Sequence, residues 1–203
     1  RLITKLHLGC GRNILRGWVN TDSNCKADAR GCTHLDVTKK FPYDDNSVGY
    51  IFSEHLIEHL SLRDGRFMLE ECFRVLESGG KIRTSTPDLK FFIELYNENK
   101  TDLQKRYIDY TINHPAYDVS TEVDTYIINN FVRAWGHTFI YDEKSLKSLL
   151  ESVGFTDVKS YLINDSEDEH LKNLENSEDK TNVEHGLTSE ILQMETFTLE
   201  ATK

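Results

Sequence analysis

The chain has 203 residues, 38% of them hydrophobic, and a formal net charge of −10. This composition suits a folded core and excludes a disordered chain; no apolar run approaches the length of a membrane span. The acidic balance argues against nucleic acid as a partner. The four cysteines (Cys10, Cys25, Cys32 and Cys72) show no Cys-x-x-Cys spacing. Free thiols in a reducing cytoplasm are therefore expected, rather than disulfides or structural zinc.

The first strand is Leu6 to Leu8, ending in Gly9-Cys10-Gly11. Glycines there let the backbone turn sharply and approach a ligand with no Cβ in the way. The second strand is Trp18 to Asp22, with Asp22 at its C-terminal end, where open α/β sheets bind ligands. A carboxylate there can accept from both hydroxyls of a ribose. About eleven residues separate Gly11 from Asp22, against about twenty in dinucleotide-binding folds. The first crossover is therefore too short for a full helix. His34 to Val37 reads as a third short strand, with Asp36 near its tip; Asp36 either accepts from an exocyclic amine or caps a turn.

Val48 to Ser53 is the fourth strand, followed at the ligand edge by Glu54 to Leu60. Asp64 to Leu76 has the spacing of an amphipathic helix, stopped by Gly79-Gly80. Lys81 to Asp88 is the fifth strand, and Phe91 to Tyr96 begins another helix. Residues 101–140 read as an insertion on the acceptor side, with many tyrosines and an aromatic run around Trp135-Gly136-His137. Asp142 caps a helix over Glu143 to Val153, which Gly154 ends. Phe155 to Leu162 is the sixth strand. Residues 164–180 hold seven acids against two lysines and read as a solvated excursion, with a substrate-ordered lid as the alternative. Glu195 to Thr202 alternates as a final strand. The expected fold is a single α/β domain over 1–203, a parallel sheet with helices on both faces, in which the last strand, following the sixth without a clear helix between them, could insert antiparallel.

Several pieces then stand in one order: Leu6 to Gly11, Asp22, Leu35-Asp36-Val37, Ser53 to His59, Arg74 to Gly80, and Gly154-Phe155. In this order the chain resembles the class I S-adenosylmethionine-dependent methyltransferases. The short first crossover is similar to small stand-alone bacterial members of the type 11-like group, found in polysaccharide and small-metabolite pathways. The resemblance implies a Rossmann-like, seven-stranded, mostly parallel sheet with an antiparallel last strand and helices on both faces, with S-adenosylmethionine as cofactor and S-adenosylhomocysteine as product. It places Gly9, Cys10, Gly11 and Asn13 at the cofactor loop and Asp22 on the ribose. Asp36 and the backbone of Val37 would meet the adenine, and Ser53, Glu54 and His55 the methionyl end.

Candidate bases are His137, His55 and His59. Arg133 could pair with an anionic group, and Trp135 and Tyr141, with Tyr126, could wall an acceptor pocket. The expected acceptor is a small molecule: a sugar, sugar nucleotide, phosphate or phosphoramidate group in surface polysaccharide biosynthesis. The expected assembly is a monomer or homodimer. A competing reading is a zinc metallohydrolase, because His55-Leu56-Ile57-Glu58-His59 is a literal His-x-x-Glu-His. No third ligand is identifiable in the sequence, so no metal is expected. A further alternative is a cofactor-binding subunit without activity of its own.

Overall fold

The computed structural model describes residues 3–25, 31–115, 117, 119, 123–175 and 189–203. Residues 176–180 of the acidic excursion lie outside this set. Seven strands form one sheet: β1 (Lys5–Leu8), β2 (Val19–Asp22), β3 (Thr33–His34), β4 (Val48–Glu54), β5 (Leu76–Pro87), β6 (Thr156–Tyr161) and β7 (Thr196–Thr202). Their order is β3-β2-β1-β4-β5-β7-β6. The first five run parallel, and β7 is antiparallel to both β5 and β6. Among the described residues no helix lies between β1 and β2, as the short spacing requires.

The helices are α1 (Leu62–Val75), α2 (Leu89–Glu94), α3 (Asp102–Asn113), α4 (Asp124–Arg133), α5 (Glu143–Val153) and α6 (Ser189–Glu195). Ser61 caps α1 by accepting from the Asp64 amide, and Asp142 caps α5 by accepting from the Ser145 amide. Their apolar faces, Met68, Leu69 and Cys72 on α1 and Leu146 and Leu150 on α5, share one core with Leu6, Leu8, Ile51, Ile82 and Leu199 of the sheet. A second core joins Phe91 and Phe92 of α2 to Tyr107 of α3, Ile127 and Phe131 of α4, and Ile191 of α6.

Three expectations change. Helix α1 ends at Val75, and Gly79-Gly80 lie inside β5 rather than stopping the helix. Leu76 is drawn into the sheet opposite Val48. A Cβ on Gly80 would stand 3.0 Å from the Gly49 carbonyl oxygen, so close packing of the strands, not the helix terminus, needs glycine there. Strand β3 stops at His34, because Asp36 turns back to accept from the amide and hydroxyl of Thr38. Cys25 and Cys32 form a disulfide, leaving Cys10 and Cys72 free. Seven residues apart in sequence, they stand at a Cα separation of 5.9 Å, a bridgeable distance.

The acidic excursion also differs from its reading as a solvated run. Leu171 and Leu174 are buried against Phe52, together with Leu15 and Trp18 of the helix-free crossover. Glu175 and Glu200 both grip the fully buried Arg83 of β5, each at 2.6 Å. The same guanidinium donates to the carbonyls of Asp165 and Leu162. Arg83→Leu should therefore strand two carboxylates and lower stability by about 3–5 kcal/mol; urea denaturation measures this.

His7 lies on the same sheet face, 3.0 Å from Asn20 Oδ1 and with its ring against Phe52. Burial pulls its pKa down to about 4, against the raising effect of Asn20. The folded state thus holds His7 neutral, and stability is full above about pH 6.5. It falls as pH drops from 6.5 toward 4, by about 3 kcal/mol in all. A pH series of denaturation curves should show that slope, and His7→Gln should flatten it.

Candidate active site

The C-terminal ends of β1, β2, β4 and β5 meet at one edge. After β1, Gly9 and Gly11 take the left-handed conformation, with φ of 62° and 50°. A Cβ on Gly9 would lie 2.8 Å from the side chain of Leu56, whereas one on Gly11 would meet nothing within 4 Å. The loop is thus packed on one side and open on the other. Asp22 stands beside the opening: its carboxylate accepts from the Gly11 amide at 3.0 Å and the Asn24 amide at 2.8 Å. Each oxygen keeps acceptor capacity for a further donor. The Cys10 amide donates to the Thr21 carbonyl, pinning the loop to the end of β2. A loop open at Gly11, beside a carboxylate at the tip of β2, fits a nucleoside with a free diol.

The other expected cofactor residues divide. Cys10 is buried, its sulfur 3.5 Å from that of Cys32, and burial raises its thiol pKa. Asn13 donates to the Leu174 carbonyl, tying the loop to the segment that covers the sheet. The Ser53 hydroxyl is buried and donates to Thr84. Val37 belongs to the main core. Asp36 is held down to about 2 by the Thr38 hydroxyl and serves its own turn. Glu54 ends β4 at the open edge.

Beyond β4 the chain makes a tight knot. His55 is left-handed, with φ of 47°, and its amide donates to Ser85. A single 3-10 turn covers Ile57–His59. Because no α-helix forms here, His55 and His59 do not present the shared face that the His-x-x-Glu-His reading needs. His55 Nδ1 instead lies 3.3 Å from Oε1 of the fully buried Glu58. Burial lowers the His55 pKa, but pairing with Glu58 outweighs it and pushes it up to about 9. For Glu58, burial raises the pKa, and pairing with His55 outweighs that and holds it below its ordinary value. Glu58 Oε2 accepts from the Thr86 hydroxyl at 3.0 Å.

The late aromatic segment closes on this knot. The amides of Thr138 and Phe139 donate to the Glu58 carbonyl at 2.8 and 3.1 Å. Trp135 and Gly136 are both left-handed, which turns the chain ahead of His137. The His137 and His59 rings stand 5.2 Å apart. His137 Nδ1 donates to the Phe131 carbonyl at 2.8 Å, leaving the Nε2 lone pair uncommitted. Trp135 is half-exposed, its ring 5.4 Å from His137. Arg133 ends α4, exposed. Tyr126 is exposed on α4 and does not wall the knot, while Tyr141 is buried in the main core, where burial raises its pKa to about 12. The residue that the sequence reading leaves unassigned outside the zinc alternative is Glu58, the buried centre of the knot. Its signal is the two histidines that flank it.

Residues 6–84 match the methyltransferase domain family. Over that stretch the chain carries a methyltransferase domain. The matched stretch holds the glycine loop, Asp22 and the Glu58 knot, and the domain's cofactor is S-adenosylmethionine. No curated protein matches the sequence. Solved structures share the fold of this methyltransferase. An S-adenosylmethionine-dependent methyltransferase of Archaeoglobus fulgidus is 17% identical with a TM-score of 0.57, over 99% of this chain and 86% of that one. One of Thermotoga maritima is 14% identical with a TM-score of 0.53, over 98% and 82%. The phosphoethanolamine N-methyltransferase 2 of Haemonchus contortus, in complex with S-adenosylmethionine, is 14% identical with a TM-score of 0.52, over 99% and 48%. No described helix is long and apolar enough to cross a membrane.

Asp22→Ala should weaken S-adenosylhomocysteine binding about 10- to 100-fold, as expected for losing a charged hydrogen-bonding partner, with the circular dichroism spectrum unchanged. Calorimetric titration checks it; unchanged affinity would remove Asp22 from the site.

Proposed function

We propose that this methyltransferase methylates a small, oxygen-rich acceptor such as a sugar or sugar nucleotide, which reaches the cofactor over the face formed by His55, His59 and His137. The observation that carries this reading is the placement of the histidine knot directly against the glycine loop, with Leu56 packed on Gly9. S-adenosylmethionine supplies, when bound, an electrophilic methyl group on a sulfonium. Gly9, Cys10 and Gly11 would hold it by backbone, and Asp22 would hold its ribose hydroxyls. What remains for the chain is to align the acceptor and exclude water.

On the acceptor side, the His137 lone pair is fixed in direction by the Phe131 carbonyl and is the group we assign to the acceptor's hydroxyl. The half-exposed Trp135 ring offers an apolar face for a sugar ring beside it. Arg133 is available to a phosphate on the acceptor. The pathway we assign to such an acceptor is surface polysaccharide synthesis.

His137→Ala should lower turnover by about 100-fold or more while leaving S-adenosylhomocysteine affinity within about twofold. Turnover is read by release of S-adenosylhomocysteine across a panel of sugars and sugar nucleotides. Full activity in the variant would remove His137 from the acceptor site.

A further inference from the structure

We infer that Glu58, His59 and His137 form a divalent-cation site that holds an oxygen of the acceptor. The inference deepens the methyl-transfer reading and rests on it for the acceptor's role, though not for the ion. One ligand atom from each of these three residues lies within 4.8 Å of the other two. The sequence alone offers no third ligand for His55-x-x-Glu58-His59; the fold brings His137 from nearly eighty positions away and leaves His55 outside the group. An ion bonded at about 2.1 Å to each ligand can join them after a modest rotation of His59, whose side chain is 35% exposed.

Three further observations point the same way. Glu58 is fully buried, yet its Oε1 makes no hydrogen bond. That oxygen meets His55 and His59 only as ion-pair contacts at 3.3 and 3.9 Å. Its other oxygen is already oriented by Thr86. His137 donates Nδ1–H to a backbone carbonyl, the outer contact that fixes a ligating imidazole with its second nitrogen free. The Thr138 and Phe139 amides fasten the two halves of the group together through the Glu58 carbonyl.

One carboxylate and two imidazoles suit first-row ions such as Mn2+, Co2+ or Zn2+. Three protein ligands leave coordination positions open, as in catalytic metal sites. With the ion in place, the His137 lone pair binds the ion and acts on the acceptor's hydroxyl through it: that hydroxyl, or a pair of neighbouring oxygens, takes the open positions beside the cofactor loop.

The test is a titration of the chelator-stripped protein with Co2+, followed by absorption and calorimetry, with and without S-adenosylhomocysteine. The expected result is one Co2+ per chain, with visible ligand-field bands and no thiolate charge-transfer band. His59→Asn and His137→Gln should each weaken Co2+ binding by about 10-fold or more and leave S-adenosylhomocysteine affinity within about twofold. Because Glu58 is buried, Glu58→Gln risks misfolding, and the two histidine variants carry the test. Absence of Co2+ binding, or unchanged binding in the double histidine variant, would overturn the site. So would a thiolate band lost in Cys25→Ser, which would place the ion at Cys10, Cys25 and Cys32 with the Cys25–Cys32 disulfide reduced. S-adenosylhomocysteine bound without Co2+ would overturn the cation site alone. Co2+ bound at the histidines without S-adenosylhomocysteine would overturn the methyl-transfer reading and uphold the ion.

Discussion

One buried guanidinium organises the sheet face that carries His7 and Phe52. Arg83 sits in the middle of β5 with no exposure, between Glu175 and Glu200 and beneath the carbonyls of Asp165 and Leu162. A charge buried to that extent is tolerated only with its donors satisfied. Four of its contacts come from outside β5, so satisfying Arg83 fixes where the chain after β6 must run. Such a network contributes little net stability over an apolar core of the same shape, but it permits few alternative arrangements. Here it selects the path of residues 162–175 across the sheet.

That path reaches the cofactor edge. Leu171 and Leu174 cover Phe52, and the Leu174 carbonyl receives Asn13 of the glycine loop. In a fold with a long first crossover, a helix would cover this face. The short connection between β1 and β2 leaves it to Leu15, Trp18 and the acidic segment. The segment that reads as a solvated excursion is, up to Glu175, part of the structure that holds the loop still. Two of its acids are not surplus surface charge: Glu175 balances Arg83, and Asp168 pairs with Lys81 and accepts from Tyr50.

The side of the fold built on alternation and punctuation was legible in the sequence. Leu6 and Leu8, Gly9 and Gly11, Asp22, the capped helix from Glu143 and the closing strand through Phe197 and Leu199 each follow from local pattern, and all lie where the pattern puts them. What was not legible depends on partners distant in sequence. Arg83 stands in Lys-Ile-Arg-Thr-Ser-Thr, a local pattern that carries no sign of a buried charge, and only Glu175 and Glu200 make its side an interior. Gly79-Gly80 carries a helix-stop signal, but sheet pairing of Leu76 overrides it. Asp36 has the position of an adenine ligand and the local chemistry of a turn, and the Thr38 hydroxyl two residues on decides its geometry.

The same distinction explains the histidines. Read locally, His55 and His59 are a pair four apart that a helix would align. The chain makes only one 3-10 turn there, because the backbone must leave β4 through a left-handed His55 and return across the glycine loop at Leu56. The helix periodicity therefore fails, and Glu58, the residue between the histidines, becomes the centre. Its burial gives the two imidazoles different roles. His55 supplies the counter-charge, while His59 stays half-exposed with His137 opposite. His137 arrives there because Trp135 and Gly136 turn the chain and the Glu58 carbonyl receives the amides that follow. The acceptor side is thus assembled from two segments joined by backbone hydrogen bonds. A carboxylate with one oxygen fixed by Thr86 and the other in ion-pair contact with His55 and His59 faces imidazoles with different partners, and that inequality gives the site an inside and an outside.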